Sequence, residues 1–373
     1  MDMITNFIQS TGHLLLFYII PLVIVLGIMI FFHELGHFLA AKFFKVKVLK
    51  FALGFGPKIV AKEIGETEYS IRYLPLGGFV KMLGEDDFDD ESQPMDEKDA
   101  KRAFNTQHPL RRIAIAAAGP VFNIILSFIL FFGLFAIAGD YIRIPEVGEV
   151  FDNTPAQKAG IMKGDVIVKI GDTDIKSLSD MNNIIRGKAG EQITITAKRG
   201  DELKLFSLVP EEVSTDDEFG EKIRIGRIGI GDARKFEHIK FSLLESFNQS
   251  LSETWKWIKM TCLVVVKLFQ GSVSIKTVGG PIMIGQMTGE LVKAGIGNLI
   301  PFMAIISINL GILNLLPIPI LDGGVILFLL FEMVKGKPIS MNKREFAMKI
   351  GLSLLLLLMV VVFYNDILRL FTE

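Results

Sequence analysis

The chain has 373 residues, half of them hydrophobic and 10% aromatic, with 40 Lys and Arg against 41 Asp and Glu. A charge balance this close to neutral gives no basis for nucleic-acid binding, and the apolar share predicts a protein partly in a bilayer and partly in water. The single cysteine, Cys262, excludes an internal disulfide and a cysteine-held zinc site.

The start, Met1-Asp2-Met3-Ile4-Thr5, lacks the basic region of a cleaved signal peptide, so the first apolar run is expected to stay as an anchor. That run covers roughly 13–41 and is long enough to cross a bilayer, which takes about 20 residues. His33-Glu34-Leu35-Gly36-His37 lies inside it. On a helix, His33 and His37 share one face at the spacing from which two imidazoles hold one Zn2+. Glu34, beside the first histidine, is placed to act as a general base on water. Polar groups of this kind cost about 2.5–3.5 kcal/mol each near a bilayer centre, so three together need a chemical reason.

The segment 42–112 reads as a β-rich loop followed by an acidic stretch. Val46 to Phe51, Lys58 to Ala61, Glu68 to Tyr73 and Gly78 to Met82 have strand character, and turn signals at Gly54-Phe55-Gly56-Pro57, Gly65 and Pro75-Leu76-Gly77-Gly78 separate them. Glu85 to Glu91 is expected to be a solvated acidic loop. Further apolar segments follow at 113–138, 298–320 and 347–370, giving four crossings. Lys42, Lys45, Lys47 and Lys50 follow the first, Arg111 and Arg112 precede the second, and Lys335, Lys337, Lys343, Arg344 and Lys349 lie between the third and fourth. By the positive-inside rule these loops are cytoplasmic and both termini extracytoplasmic, which puts His33 and His37 near the cytoplasmic side.

The large outer portion opens with a compact module at 144–212. Its string Thr154-Pro155-Ala156-Gln157-Lys158-Ala159-Gly160-Ile161-Met162-Lys163-Gly164-Asp165 resembles PDZ domains, which bind extended peptides by adding a strand to a sheet edge. A size filter over the membrane is the other expected role. The rest, 213–297, reads as a polar linker at Val213 to Glu221 and, over 236–297, amphipathic helices broken at Gly279-Gly280-Pro281, with 259–270 too short for a fifth crossing.

Two histidines leave a catalytic zinc one protein ligand short. The third segment, taken to 323, carries Asn314-Leu315-Leu316-Pro317-Ile318-Pro319-Ile320-Leu321-Asp322-Gly323-Gly324. Asp322 is an ionisable group in an apolar stretch, and the prolines and glycines around it break the helix where backbone must be buried or line a wet cavity. A metal opposite Asp322 meets both demands; a salt bridge to a lysine of the following loop, or emergence of the segment into water, is the plainer alternative. A transport site and a silent PDZ adaptor are the alternatives; Glu34 beside the histidines speaks against both.

The first-segment H-E-x-x-H, the later N-x-x-P-x-P-x-L-D-G and the intervening PDZ-like module together resemble the site-2 protease family, in its RseP-type bacterial branch. The resemblance spans almost the whole chain. It implies a polytopic α-helical membrane protein with four transmembrane helices, a small cytoplasmic β-rich loop and one extracytoplasmic PDZ-like α/β module. It further implies that His33, His37 and Asp322 hold one Zn2+, that Glu34 is the base, and that Asn314, Pro317, Gly77 and Gly78 serve the substrate. The implied activity is zinc-dependent cleavage of transmembrane segments of single-pass proteins in the bacterial cytoplasmic membrane. A pre-trimmed anti-sigma factor and signal-peptide remnants are the implied substrates.

Overall fold

A computed structural model describes residues 15–85, 96–217, 219–274 and 278–372. The framework divides into two units, one of Met1–Leu134, Phe247–Val266 and Ser274–Glu373, the other of Phe135–Ser246 and Lys267–Val273. Among the described residues four helices are long and apolar enough to cross a membrane: Leu16–Phe43, Pro109–Ala138, Ile296–Asn314 and Met341–Thr372.

In the first unit, α1 (Ile20–Phe43) is uninterrupted apolar helix up to the His-Glu-x-x-His turn and ends with Lys42 in its last turn. The chain then reverses through Lys45, at φ 62°, into β1 (Val48–Ile64) and β2 (Thr67–Met82). These are not a simple hairpin. Phe51 faces Val80 on one side and Tyr69 on the other, while Val60 to Ile64 pair with Ile71 to Thr67. Each strand doubles back on itself, so the four stretches expected from sequence lie side by side, with 78–82 at one edge and 58–64 at the other. Gly54, at φ 89°, makes the bend possible: a Cβ there would lie 2.6 Å from the Leu74 carbonyl. Of the acidic stretch, 86–91 lies outside the described residues.

Helix α2 (Pro109–Ala138) starts on proline, which suits a first helical position. It packs very close to α1, since a Cβ on Gly36 would stand 2.3 Å from the Ala118 carbonyl oxygen. Such backbone-to-backbone approach through small residues is the usual basis of helix association in lipid. Val25, Met29 and Leu126 share a buried cluster with Leu299 and Met303 of a later helix.

The second unit is antiparallel β structure with short helices. β3 (Asp140–Arg143) and β4 (Val147–Val150) lead to α3 (Pro155–Ala159), capped by the Thr154 side chain. β5 (Val166–Ile170) and β6 (Thr173–Asp174) precede α4 (Leu178–Arg186), which begins at a Ser177–Asp180 capping box. β7 (Ile193–Arg199) and β8 (Glu202–Leu208) complete a sheet of order β6-β5-β7-β8. Asp165, fully buried, receives the Arg199 guanidinium at 2.7 Å through two bonds.

The module runs past the expected end at 212. Val213 to Glu221 is no linker: β9 (Glu211–Asp216) pairs with β10 (Lys222–Arg227). β11 (Ile230–Asp232) then returns to β4, and β12 (Phe236–Ile239) pairs with β3, so the helical reading from 236 begins too early. Ile228 completes the apolar core of Ile167, Ile195 and their neighbours, which is why these strands belong to the module.

The 259–270 segment is the second half of a 28-residue helix, α5 (Leu243–Gln270), set by a Ser242–Glu245 capping box. Its burial is inside out. Ser250, Thr254 and Thr261 are buried, whereas Leu251, Trp255, Leu263 and Val266 are exposed. After the expected break at Gly279-Gly280-Pro281 comes α6 (Pro281–Ala294). Asp366 caps it from afar, accepting hydrogen bonds from the backbone N–H groups of Gly280, Ile282 and Met283 at 2.9, 3.0 and 3.1 Å. α7 (Ile296–Asn314) is followed by α8 (Asp322–Lys335) and α9 (Met341–Thr372). The expected third segment 298–323 is therefore not one helix. It ends at Asn314, because Pro317 and Pro319 cannot donate to a helical ladder, and restarts at Asp322. The fourth helix is longer than the expected 347–370.

Candidate metal centre

The centre is built within the first unit by α1, α2, the end of β2 and the start of α8. His33 and His37, one helical turn apart, turn their Nε2 atoms to within 3.2 Å of each other. Asp322 completes the group, with its carboxylate oxygens 3.2 Å from His33 Nε2 and 3.5 Å from His37 Nε2. These are, among the described residues, the group of donors able to hold a metal ion. Zinc bound at about 2.0–2.1 Å with tetrahedral angles needs donors roughly 3.3 Å apart. The Nε2–Nε2 separation of 3.2 Å, with one Asp322 oxygen near each imidazole (Oδ2 at 3.2 Å from His33, Oδ1 at 3.5 Å from His37), fits that ion, as do two imidazoles and a carboxylate.

Asp322 reaches the histidines because the Asn314-to-Leu321 break folds tightly on the two glycines after it. A Cβ on Gly323 would lie 2.2 Å from the Leu315 carbonyl oxygen, and one on Gly324 2.2 Å from that of Ile318. Only glycine fits at either position. α8 is then tied to α2 by Arg112, which forks onto both Glu332 carboxylate oxygens at 2.9 and 3.0 Å.

The other wall is α2. His37 Nδ1 lies 2.8 Å from the Ile115 carbonyl, which can only accept, so Nδ1 carries the proton and Nε2 keeps its lone pair for a metal. His33 Nδ1 lies 3.3 Å from the side-chain amide of Asn123. Gly119 lies between these two contacts; a Cβ there would be 2.3 Å from His37 Nε2, in the space an ion would use.

Glu34 lies in the same cavity of about 210 Å³ as His33, His37 and Asp322, with Phe79 and Val80 forming its roof. The Val80 backbone N–H donates to its carboxylate. Gly78 closes over it: a Cβ there would be 3.1 Å from Glu34 Cγ. Of the residues expected to serve the substrate, the structure thus brings Gly78 to the centre. Gly77, at φ 133°, packs under the Phe55 ring beside it. Asn314 ends α7 and Pro317 is exposed in the break; neither lines the cavity. Sequence reading missed Gly119 and Asn123. The signal for Asn123 was present, an uncharged polar side chain in an apolar crossing.

Two imidazoles and an adjacent glutamate in a helix long and apolar enough to cross a membrane, met by a carboxylate from the start of α8, define a membrane metallopeptidase. The pattern of Peptidase family M50 matches residues 21–358, and the chain belongs to that family, the site-2 proteases, which are zinc-dependent. A relative in Clostridium acetobutylicum is 40% identical across 94% of this chain and 97% of its own length. One in Campylobacter jejuni is 35% identical across 94% and 93%. The zinc metalloprotease RasP of Oceanobacillus iheyensis is 30% identical across 95% and 99%. Among solved structures, the PDZ domain of an SdrC-like protein from Listeria monocytogenes covers 23% of this chain and 82% of its own, at 27% identity and a TM-score of 0.18.

Proposed function

We propose that this zinc metalloprotease cuts single-pass membrane proteins within their membrane-spanning segments, with His33, His37 and Asp322 holding one zinc ion and Glu34 as general base. The observation that carries the reading is the convergence of one Asp322 carboxylate, its two oxygens 3.2 and 3.5 Å from the imidazoles, on two histidines whose Nε2 atoms are 3.2 Å apart in a helix of membrane-crossing length. When bound, zinc polarises the scissile carbonyl and makes water nucleophilic near neutral pH. Glu34 takes the proton of the attacking water and returns it to the leaving amine. Val80 N–H holds the Glu34 carboxylate in place for both transfers.

A helical substrate hides its amides in its own hydrogen bonds, so it must unwind before attack. The stretch Gly78 to Met82 is a sheet edge running beside Glu34, and it supports pairing with an unwound substrate strand. Gly77 lets the chain turn onto that edge, while Asn314, the last residue of α7, and Pro317, in the break after it, serve the substrate outside the cavity. Anti-sigma factors already trimmed outside the membrane, or leftover signal peptides, are the substrates of this form.

The proposed orientation has the basic loops in the cytoplasm, both termini outside and the PDZ-like module extracytoplasmic, in the bacterial cytoplasmic membrane. The Arg112–Glu332 pair supports it, because it joins the basic start of α2 to the end of α8 at one end of the bundle.

The test is Glu34→Gln in purified enzyme with a single-pass substrate in detergent. Cleavage should drop by at least about 10²-fold with zinc content unchanged, and mass spectrometry of wild-type products should place the cut inside the apolar segment. Cleavage retained by the variant, or cut sites confined to soluble flanks, would overturn the proposal.

A further inference from the structure

Each histidine of the centre meets α2 through its Nδ1, but the two partners differ in kind. His37 meets a backbone carbonyl, Ile115, which any residue would supply. His33 meets a side chain, Asn123, whose identity the sequence chooses. Asn123 has no exposed surface and lies in a crossing helix, where an amide carries a cost unless it is bonded. Its Oδ1 is buried without a hydrogen-bond partner among the described residues, while the other end of the same amide stands 3.3 Å from His33 Nδ1.

The two ends of an asparagine amide have the same shape, and the chemistry at the neighbouring imidazole decides between them. With the amide nitrogen donating to Nδ1, the imidazole proton would be on Nε2. That N–H would point at His37 Nε2 and Asp322, and His33 could not ligate. Turned by half a rotation, Oδ1 accepts from Nδ1–H, and Nε2 presents its lone pair toward the donor triangle. Both histidines then have the same polarity, each giving its Nδ1 proton to α2. The position of Asn123 is itself held, since Ser307 Oγ donates to its backbone carbonyl at 2.8 Å.

We propose that Asn123 is the positioning residue of His33: its side-chain carbonyl accepts the Nδ1 proton, fixes the tautomer that ligates through Nε2, and so sets the affinity of the centre for zinc. This rests on the assignment of His33 as a ligand.

The test measures zinc affinity of the purified full chain by competition with a chromophoric chelator, and the visible absorption of the cobalt-substituted protein. Asn123→Leu, matched in size but without an acceptor, should weaken zinc binding by about 10–100-fold and alter the cobalt spectrum. Asn123→Asp, which keeps an acceptor oxygen, should stay within about threefold of wild type in the same assay. Full affinity in a folded Asn123→Leu protein overturns the proposal. If the leucine variant does not fold, Asn123→Asp decides: a folded aspartate variant with the cobalt spectrum and affinity of wild type supports it, and one that loses both overturns it. Failure of the wild-type protein to bind zinc would instead overturn the ligand assignment beneath it.

Discussion

At the residue scale, the centre depends as much on side chains that are missing as on those that are present. Gly36 lets α1 and α2 touch backbone to backbone, and Gly119 leaves room in front of His37 Nε2. The two predict separable losses. Gly36→Ala places a methyl 2.3 Å from the Ala118 carbonyl oxygen and must push the helices apart; overpacking of this kind costs about 1–3 kcal/mol, read as a lower unfolding midpoint in detergent. Gly119→Ala adds its methyl 2.3 Å from a donor nitrogen, so zinc content should fall before stability does. A Gly119→Ala protein with full zinc would show that the donor triangle is not where the ion binds. Neither glycine is marked in the sequence. Both look like ordinary small residues of an apolar helix, and only the facing backbone gives them a role.

At the element scale, the folded-back β1–β2 sheet is held at its turn by charge. Glu66 receives two hydrogen bonds from the Arg102 guanidinium at 2.7 and 2.6 Å and one from Lys42 at 3.2 Å. The Arg102 bonds, seconded by Lys42, hold the Glu66 carboxyl at about 2, well below its ordinary 4.5. A depressed carboxyl stabilises the fold fully above the unfolded value and loses that contribution as pH falls through the folded one. Stability from this network should therefore be complete above about pH 4.5 and decline toward pH 2. The pair is about one-third exposed, so screening limits the effect to about 1 kcal/mol or less. Thermal unfolding at pH 6 and pH 3 should show a smaller acid loss in Glu66→Gln than in wild type; equal losses would remove Glu66 as the cause. The same sheet shows how far strand patterns carry. Its four stretches were legible, but their order was not, because which edge lies beside Glu34 depends on bends at Gly54 and Gly77. Helix α5 shows the converse. Its sequence reads as an amphipathic helix without saying which face turns inward; in the fold Ser250, Thr254 and Thr261 take the inside and Leu251, Trp255, Leu263 and Val266 are exposed.

At the scale of the whole molecule, two units with separate cores should behave separately. The second unit encloses its own apolar cluster and the buried Asp165–Arg199 pair, so a fragment spanning 140–240 should fold alone and unfold cooperatively. In it, burial raises the Asp165 carboxyl, but the Arg199 bonds and charge together with the Met162 backbone N–H more than offset this and hold it below its ordinary range. Arg199→Ala strands that carboxylate and should cost about 3 kcal/mol, measured by urea unfolding; a change under about 0.5 kcal/mol would show the pair to be dispensable. Orientation is tested on the full chain. After Cys262, which is exposed, is replaced by serine, a cysteine at Lys343 should be shielded from an impermeant maleimide in intact cells and one at Asp172 should react. The reverse labelling would invert the proposed topology.

The sequence by itself determined the chemistry: two histidines at helical spacing, the glutamate between them and an aspartate among helix breakers, each too costly in an apolar stretch to be incidental. It also determined the four apolar helices, since bilayer thickness leaves a plain signature in length and hydropathy. Only the tertiary structure decided where the PDZ-like module closes, because β11 and β12 pair with strands 80–99 positions earlier and that pairing leaves no local trace. Only it showed that Gly119 and Asn123 of α2 back the two histidines of α1. Those roles arise from approach between helices, a distance that periodicity along one helix does not contain.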